Sequence, residues 1–331
     1  MKRKWNGFKS AMAAEINRYL AHKRALGRRF INEEMGLRLL ENFVLENGAS
    51  GIDQITPMMI DAFLASRVRS PRSFNHLLGV VRGLFNWLVT QEILIRSPVL
   101  TKPRRKPSPY VPFILSDDEI RRLLEVSASL RSNSHAQNRG VVYKTIFALL
   151  SCLGLRVGEV SRLLWSDVKF EEGTLLIRET KFFKTRLVPF GPQIGDLLSQ
   201  YRQACGRNSN ASQPTAPVFS FTKNRTVNPS TISQTFHSLI PMLGLRKVPG
   251  ASLPTVHCLR HSFAVRTLLR WYQSDVDPAS RLLSLSTFLG HSNLSSTSVY
   301  LTITDELLWE ANQRFERFAN RLQTMEAPYE Q

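Results

Sequence analysis

His257-Cys258-Leu259-Arg260-His261-Ser262-Phe263-Ala264 opens the stretch that decides how this chain folds and what it handles. Pro254-Thr255 marks the start of a helix predicted over 255–271, and positions 257 and 260, three apart, lie on one helical face. One imidazole and one guanidinium therefore point together at a helix N-terminus, where free backbone donors and the macrodipole favour an anion. Alone, such a pair reads as a solvated helical surface. Its meaning comes from the segments on either side.

Downstream, Leu289-Gly290-His291-Ser292-Asn293 is followed nine residues after the histidine by Tyr300, in Ser298-Val299-Tyr300-Leu301. Upstream, a nearly all-apolar helix over 139–153 is stopped by Gly154, and Gly154-Leu155-Arg156-Val157-Gly158-Glu159 leads into a short further turn over 159–164. An arginine held at that junction suits bidentate phosphate binding, the competing role being a pair with Glu159 or a capped carbonyl. Between these segments, Thr174 to Glu179 and Arg186 to Phe190 are short β-type runs around Thr180-Lys181-Phe182-Phe183-Lys184-Thr185, which predicts a hairpin at the edge of a small sheet. Val218 to Phe221 reads as a further strand, and helices are expected at 229–243, 279–289, 295–302 and 305–325. The three cysteines, Cys152, Cys205 and Cys258, lack metal or redox spacing and read as reduced and structural.

The first hundred residues differ in character. Phe8 to Leu26, Glu33 to Glu46, Pro57 to Arg67 and Arg72 to Gln91 carry apolar residues at three- and four-residue intervals, and the last of these is apolar enough to centre a small helical bundle. Residues 98–112 hold five prolines around Lys102, Arg104, Arg105 and Lys106, a composition that reads as a basic linker. Ser116-Asp117-Asp118-Glu119 then opens the next domain with a capping-box pattern. The expected division is a helical domain over 1–107 and a mixed domain over 108–331, mainly α with a small antiparallel β-sheet. Two domains also suit 331 residues, since single cores rarely grow beyond about 250.

Charge points to the partner. Forty-four Lys+Arg against 26 Asp+Glu leave a net charge of +18, suited to a polyanion rather than an acidic small molecule. Up to residue 107 there are 19 Lys+Arg and 8 Asp+Glu, so the smaller part carries most of the excess and reads as a DNA-gripping module. The sequence has no run of about 18 apolar residues and no secretory leader pattern, which implies no membrane and a cytoplasmic, nucleoid-associated protein. Walker-type, H-E-x-x-H and G-x-S-x-G motifs do not occur, so neither a nucleotide cofactor nor a metal is expected.

Taken in order, Gly154-Leu155-Arg156, the Lys181 hairpin ending Arg186-Leu187-Val188-Pro189, His257-x-x-Arg260-His261, Leu289-Gly290-His291 and Tyr300 resemble the tyrosine recombinase, or phage-integrase, family. The resemblance spans about 114–305, and the N-terminal part is similar to that family's helical, SAM-like core-binding domain. The stretch between Arg260 and His291 is longer than is common there, with Trp271 to Asp275 as extra loop. The resemblance implies that Tyr300 is the nucleophile and that Arg156 and Arg260 hold the non-bridging oxygens of the scissile phosphate. It further implies that His257 accepts or relays the tyrosine proton, that His291 donates to the phosphate and that Lys181 protonates the leaving oxygen, with Lys184 as the rival lysine. His261 reads as structural, turned to another face. Lys102, Arg104, Arg105, Lys106 and Lys184 are expected along the DNA backbone.

The implied reaction is cleavage and rejoining of double-stranded DNA through a 3′-phosphotyrosine, in integration, excision or transposition of a mobile element. Paired recombination sites and one nucleophilic tyrosine per chain imply a tetramer on DNA, with accessory proteins or partner recombinases left open. The apolar stripe of the tail helix is expected to dock on a neighbouring subunit, the alternative being its own domain. Competing readings are a type IB topoisomerase and a catalytically inactive DNA-binding regulator; that all six catalytic positions hold competent residues argues against the second.

Overall fold

The computed structural model describes residues 7–105, 112–178, 185–205, 213–222, 225–245, 253–274, 276–291 and 293–302, with 308–309, 312–313 and 316 from the tail. Two compact units divide the chain at Pro109/Tyr110. The expected tail helix over 305–325 lies almost wholly outside the described residues, as do Lys106, Lys181 and Lys184.

Among its described residues the first unit holds four α-helices, α1 (Ala13–Ala25), α2 (Ile31–Glu46), α3 (Pro57–Ala65) and α4 (Pro71–Thr90), with a short 3-10 turn at Ile52–Gln54. Sharp starts come from side-chain caps followed by proline, Thr56 accepting from the Met59 amide and Ser70 from that of Ser73. As its periodicity predicts, α4 buries Leu77, Leu78, Val81, Leu84, Phe85 and Leu88 and forms the centre of this core. The buried carboxylate of Glu41 accepts from the amide of Ser10 at 2.8 Å, which pins the entry to α1 against α2.

The proline-rich stretch differs from a free linker in its first half. Val99 is buried in the helical core, and Arg104 exchanges two hydrogen bonds of 2.7 Å with Asn75 of α4. Its guanidinium also lies 3.8 Å from the centroid of the Phe74 ring. Proline disfavours helix but not docking, because its fixed φ lowers the entropy lost when extended chain is pinned to a surface.

In the second unit the expected capping box starts α5 (Asp117–Ala128): Ser116 accepts from the Glu119 amide at 3.2 Å and Glu119 from the Ser116 amide at 2.8 Å. The apolar helix α6 (Arg139–Cys152) runs through the core and ends before Gly154, whose φ of +59° reverses the chain into α7 (Val157–Arg162). Three antiparallel strands follow in the order β1 (Val168–Lys169), β2 (Thr174–Ile177) and β3 (Arg186–Pro189), with Leu175 opposite Val188. Leu175, Ile177 and Val188 face the core by strand alternation. The predicted hairpin is thus β2 and β3, with β3 at the edge.

Helix α8 (Pro192–Cys205) is an element not expected from the sequence, and the expected strand at 218–221 is met in part by β4 (Ser220–Thr222), which among the described residues pairs with β5 (Arg225–Thr226). Val218 instead uses its amide on the Leu163 carbonyl, which draws the chain back to the core before pairing begins. Helices α9 (Pro229–Leu239), α10 (Cys258–Gln273), α11 (Pro278–Leu289) and α12 (Ser295–Ser298) complete the order. A small second core joins Phe263, Leu268, Leu282, Leu285 and Leu289 to Tyr300, so the tyrosine sits in a packed layer between α10 and α11. Among the described residues no helix is long and apolar enough to cross a membrane.

Candidate active site

Three backbone features converge on one point: the end of α6 at Gly154, the head of α10 at His257 and the end of α11 at Gly290. Gly290 has a φ of +68°, so α11 closes in a left-handed cap and its last carbonyls stay free of helical partners. Those carbonyls are taken by three arginines in succession. Arg186 Nε donates to the Phe288 carbonyl at 2.8 Å, Arg260 Nη2 to that of Leu289 at 2.6 Å, and Arg156 Nη2 to that of Gly290 at 2.8 Å. Arg260 also donates to the Gly154 carbonyl at 2.6 Å and therefore ties two helix C-termini together from a 1% exposed position.

One carboxylate balances this cluster. Glu159 receives Arg186 bidentately, with both distances 2.9 Å, and Arg156 Nη1 at 2.8 Å, while its other oxygen accepts the Arg156 amide. Burial pushes the Glu159 carboxyl up, but the hydrogen bonds and charges of Arg186 and then Arg156 outweigh it and hold its pKa at about 2. Arg260 is pushed down to about 9, by burial first and by the Arg156 charge second. Three guanidinium groups against one carboxylate and two helix C-termini leave uncancelled positive charge, which a phosphate diester would neutralise.

Two histidines meet the tyrosine, and a third lies against one of them. Burial of the imidazole, with Arg260 and Arg156 next in weight, holds His257 at about 4, although the residue as a whole is exposed. His291, which shares its Nδ1 with the Thr297 hydroxyl at 2.6 Å, is held at about 4 by burial and by the charges of Arg260 and Arg156. Its ring stacks on that of Tyr300 at 6.4 Å. Tyr300 is 2% exposed, and its phenol is raised by burial while Arg260 and Arg156 pull it back.

The structure thus brings Arg156, His257, Arg260, His291 and Tyr300 together. Lys181 and Lys184, on the hairpin between β2 and β3, lie outside the described residues, as does Lys106. Lys102 and Arg105 are exposed on the first unit, where Arg104 is docked on Phe74. One correction follows. His261 does not turn to another face: its Nδ1 is 2.8 Å from Tyr300 Oη, and its ring meets that of His257 edge to face at 4.6 Å. Because α10 begins at Cys258 rather than 255, His257 is its N-cap and the next turn brings His261 beneath the tyrosine. Arg156 also makes the competing contacts, an ion pair with Glu159 and a hydrogen bond to the Gly290 carbonyl, and Arg186 is the residue of this cluster to which the sequence reading assigned no role. The signal was present in Arg186 of the hairpin motif and in Glu159 three residues after Arg156, but their pairing spans 27 positions.

The model of the phage integrase family matches residues 114–306, and that of the phage integrase N-terminal SAM-like domain matches residues 16–92. The integrase/recombinase y4rB of Sinorhizobium fredii is 32% identical over 315 residues, 93% of this chain and 98% of that one. The tyrosine recombinase XerC of Pediococcus pentosaceus is 25% identical over 80% of this chain and 82% of its own. Among solved structures, a lambda integrase tetramer bound to a Holliday junction shares the fold with a TM-score of 0.60, at 18% identity over 86% of this chain and 78% of that one.

Proposed function

The chain belongs to the phage integrase family and is a tyrosine recombinase, an enzyme of DNA strand cleavage and rejoining; on that premise we propose that it works through a 3′-phosphotyrosine on Tyr300. The observation that carries this reading is the run of three carbonyls at the end of α11, each holding an arginine, beside a buried tyrosine. Arg156 and Arg260 hold the two non-bridging oxygens of the scissile phosphate, preorganised by those carbonyls and by Glu159 so that little reordering is needed when charge develops. His291 donates to the same phosphate, His257 helps to carry protons at its edge, and Lys181 protonates the departing 5′ oxygen, with Lys184 as the alternative.

Because the phosphotyrosine conserves the energy of the diester, a 5′ hydroxyl from another strand reseals it without a nucleotide. Exchange between two duplexes takes four cuts and therefore four chains on paired sites, an arrangement supported by the fold shared with the lambda integrase tetramer. Integration, excision or transposition of a mobile element is the biological setting, for which the likeness to an integrase/recombinase of Sinorhizobium fredii is the support. Residues 1–107 grip the duplex, with Lys102, Arg104, Arg105, Lys106 and, from the second domain, Lys184 along its backbone.

The test uses nicked duplexes from the chain's own genomic neighbourhood, without metal or ATP. Wild type is expected to form an adduct that survives denaturation, and Tyr300→Phe to bind the same duplex and form none. An adduct that persists in Tyr300→Phe would place the nucleophile elsewhere; binding without any adduct would favour a regulator.

A further inference from the structure

The imidazole on the phenol oxygen is that of His261. We propose that His261 is a catalytic residue, the base that takes the Tyr300 proton during cleavage and the acid that returns it during rejoining. This rests on the reading of Tyr300 as the nucleophile and deepens it, because His257 was the residue expected to accept that proton. The geometry separates the two: His261 Nδ1 is 2.8 Å from Tyr300 Oη, whereas the described contact of the His257 ring is with His261. His291, the third imidazole, stacks on the tyrosine ring and engages Thr297 through its Nδ1.

Acceptance at Nδ1 requires the neutral tautomer protonated at Nε2, and the surroundings enforce neutrality. Burial comes first, then His257 at the head of α10, Arg260 on the same helix and His291 beyond α11, holding His261 at about 4. Arg156, just before α7, and Arg186, on β3, are the other cations of the cluster, both paired with Glu159. So low a value makes a weak base in the empty site. A phosphate diester bound to Arg156 and Arg260 offsets the Arg260 share of that depression, and the imidazolium becomes tolerable as the phosphoryl oxygens gain negative charge in the transition state. Base strength is thereby coupled to DNA occupancy, which guards the tyrosine from ionising unproductively.

The step balances. The Tyr300 O–H proton passes to His261 Nδ1 as the Oη–P bond forms; the P–O5′ bond breaks, and the 5′ oxygen takes a proton from the lysine of the hairpin. In rejoining, a 5′ hydroxyl attacks phosphorus, the P–Oη bond breaks, and the proton held on His261 returns to Oη.

The experiment uses the full chain on the nicked duplex that gives the wild-type adduct, made once with the ordinary 5′ oxygen at the cleaved bond and once with a bridging 5′ sulfur, which leaves without protonation. His261→Gln is the main variant, since glutamine can keep a hydrogen bond to the phenol but cannot hold its proton; His261→Asn is the second, and retained DNA binding reports folding. Adduct formation by His261→Gln is expected to fall by about 100-fold or more with both leaving groups. Its rate should rise about tenfold per pH unit between about pH 6 and about pH 9, where wild type stays flat. Lys181→Ala, by contrast, should be restored by sulfur.

A His261→Gln profile parallel to wild type, or its rescue by sulfur, would overturn the proposal. The pH slope appearing in His257→Gln instead would transfer the role to His257. Absence of any wild-type adduct would remove the nucleophile reading itself, and the proposal with it.

Discussion

Tyr300 meets the rings of His261 and His291, with His257 against His261, and all three imidazoles have pKa values of about 4, below their ordinary 6.5, which has a cost in acid. Each histidine binds its proton less readily folded than unfolded. As pH drops through 6.5 the unfolded chain takes up protons that the folded chain refuses, and stability falls until about 4, below which both states are protonated. Glu159 acts in a lower window. Its folded carboxyl titrates at about 2 against an ordinary 4.5, so it stabilises fully above 4.5 and loses that contribution as pH falls through 2. Urea unfolding of the catalytic unit is accordingly expected to weaken steadily between pH 6.5 and 4, and less steeply in a His261→Gln, His291→Gln double variant. Equal slopes would mean that these imidazoles titrate normally in the folded chain.

At the level of elements, the end of α11 is the hub that the hairpin, α7 and α10 reach with one arginine each. Arg186 is the hairpin's contribution, 10% exposed and shared between Glu159 and the Phe288 carbonyl. Arg186→Ala leaves a buried carboxylate half paired and is expected to destabilise the catalytic unit by about 3 kcal/mol. Adding Glu159→Gln should restore part of that, because the unpaired charge is then gone; a double variant no more stable than Arg186→Ala in chemical denaturation would refute the brace. Gly154 supplies a second case. A Cβ there would lie 2.5 Å from Phe263 Cδ1 and 2.9 Å from Leu289 Cδ2, on a backbone with φ of +59°. Gly154→Ala is expected to cost about 2–3 kcal/mol by thermal unfolding, from overpacking and a left-handed alanine together. A Tm within a degree or so of wild type would mean that the junction yields easily.

Across the whole molecule, a net charge of +18 is distributed over two units with separate cores. Binding that draws phosphate contacts from both should release many counterions. Affinity for duplex DNA is expected to drop by about 10³-fold or more between about 50 and about 200 mM salt, the range for six or more neutralised phosphates. Filter binding or fluorescence anisotropy over a salt series would check it, and a slope of one or two ions would restrict the contact to a single unit. Substituting Lys102 and Arg105 together should lower that slope by about 2, at all sequences alike, since both side chains are exposed and held near the first unit by Arg104.

What the sequence by itself determined was local and ordered. Gly154 after an apolar helix, the histidine and arginine three apart at a helix start, Gly290 before His291 and Tyr300 nine further on are motifs whose spacing lies within one or two turns, so backbone propensity alone makes them legible. The helical character of the first unit and the β2–β3 hairpin followed from period and turn chemistry in the same way. The tertiary structure alone decided which imidazole meets the phenol. That depends on the start of α10 at Cys258 and on the packing of Tyr300 into the layer with Phe263 and Leu289, neither of which any short window contains. It also decided that Arg186 and Glu159, 27 residues apart, close on each other; α8, by contrast, is marked in the sequence by Pro192 ahead of Ile194, Leu197, Leu198 and Tyr201 at helical spacing. Contacts made across elements draw their energy from burial and charge pairing at a distance, and those forces act on the folded chain rather than along the sequence.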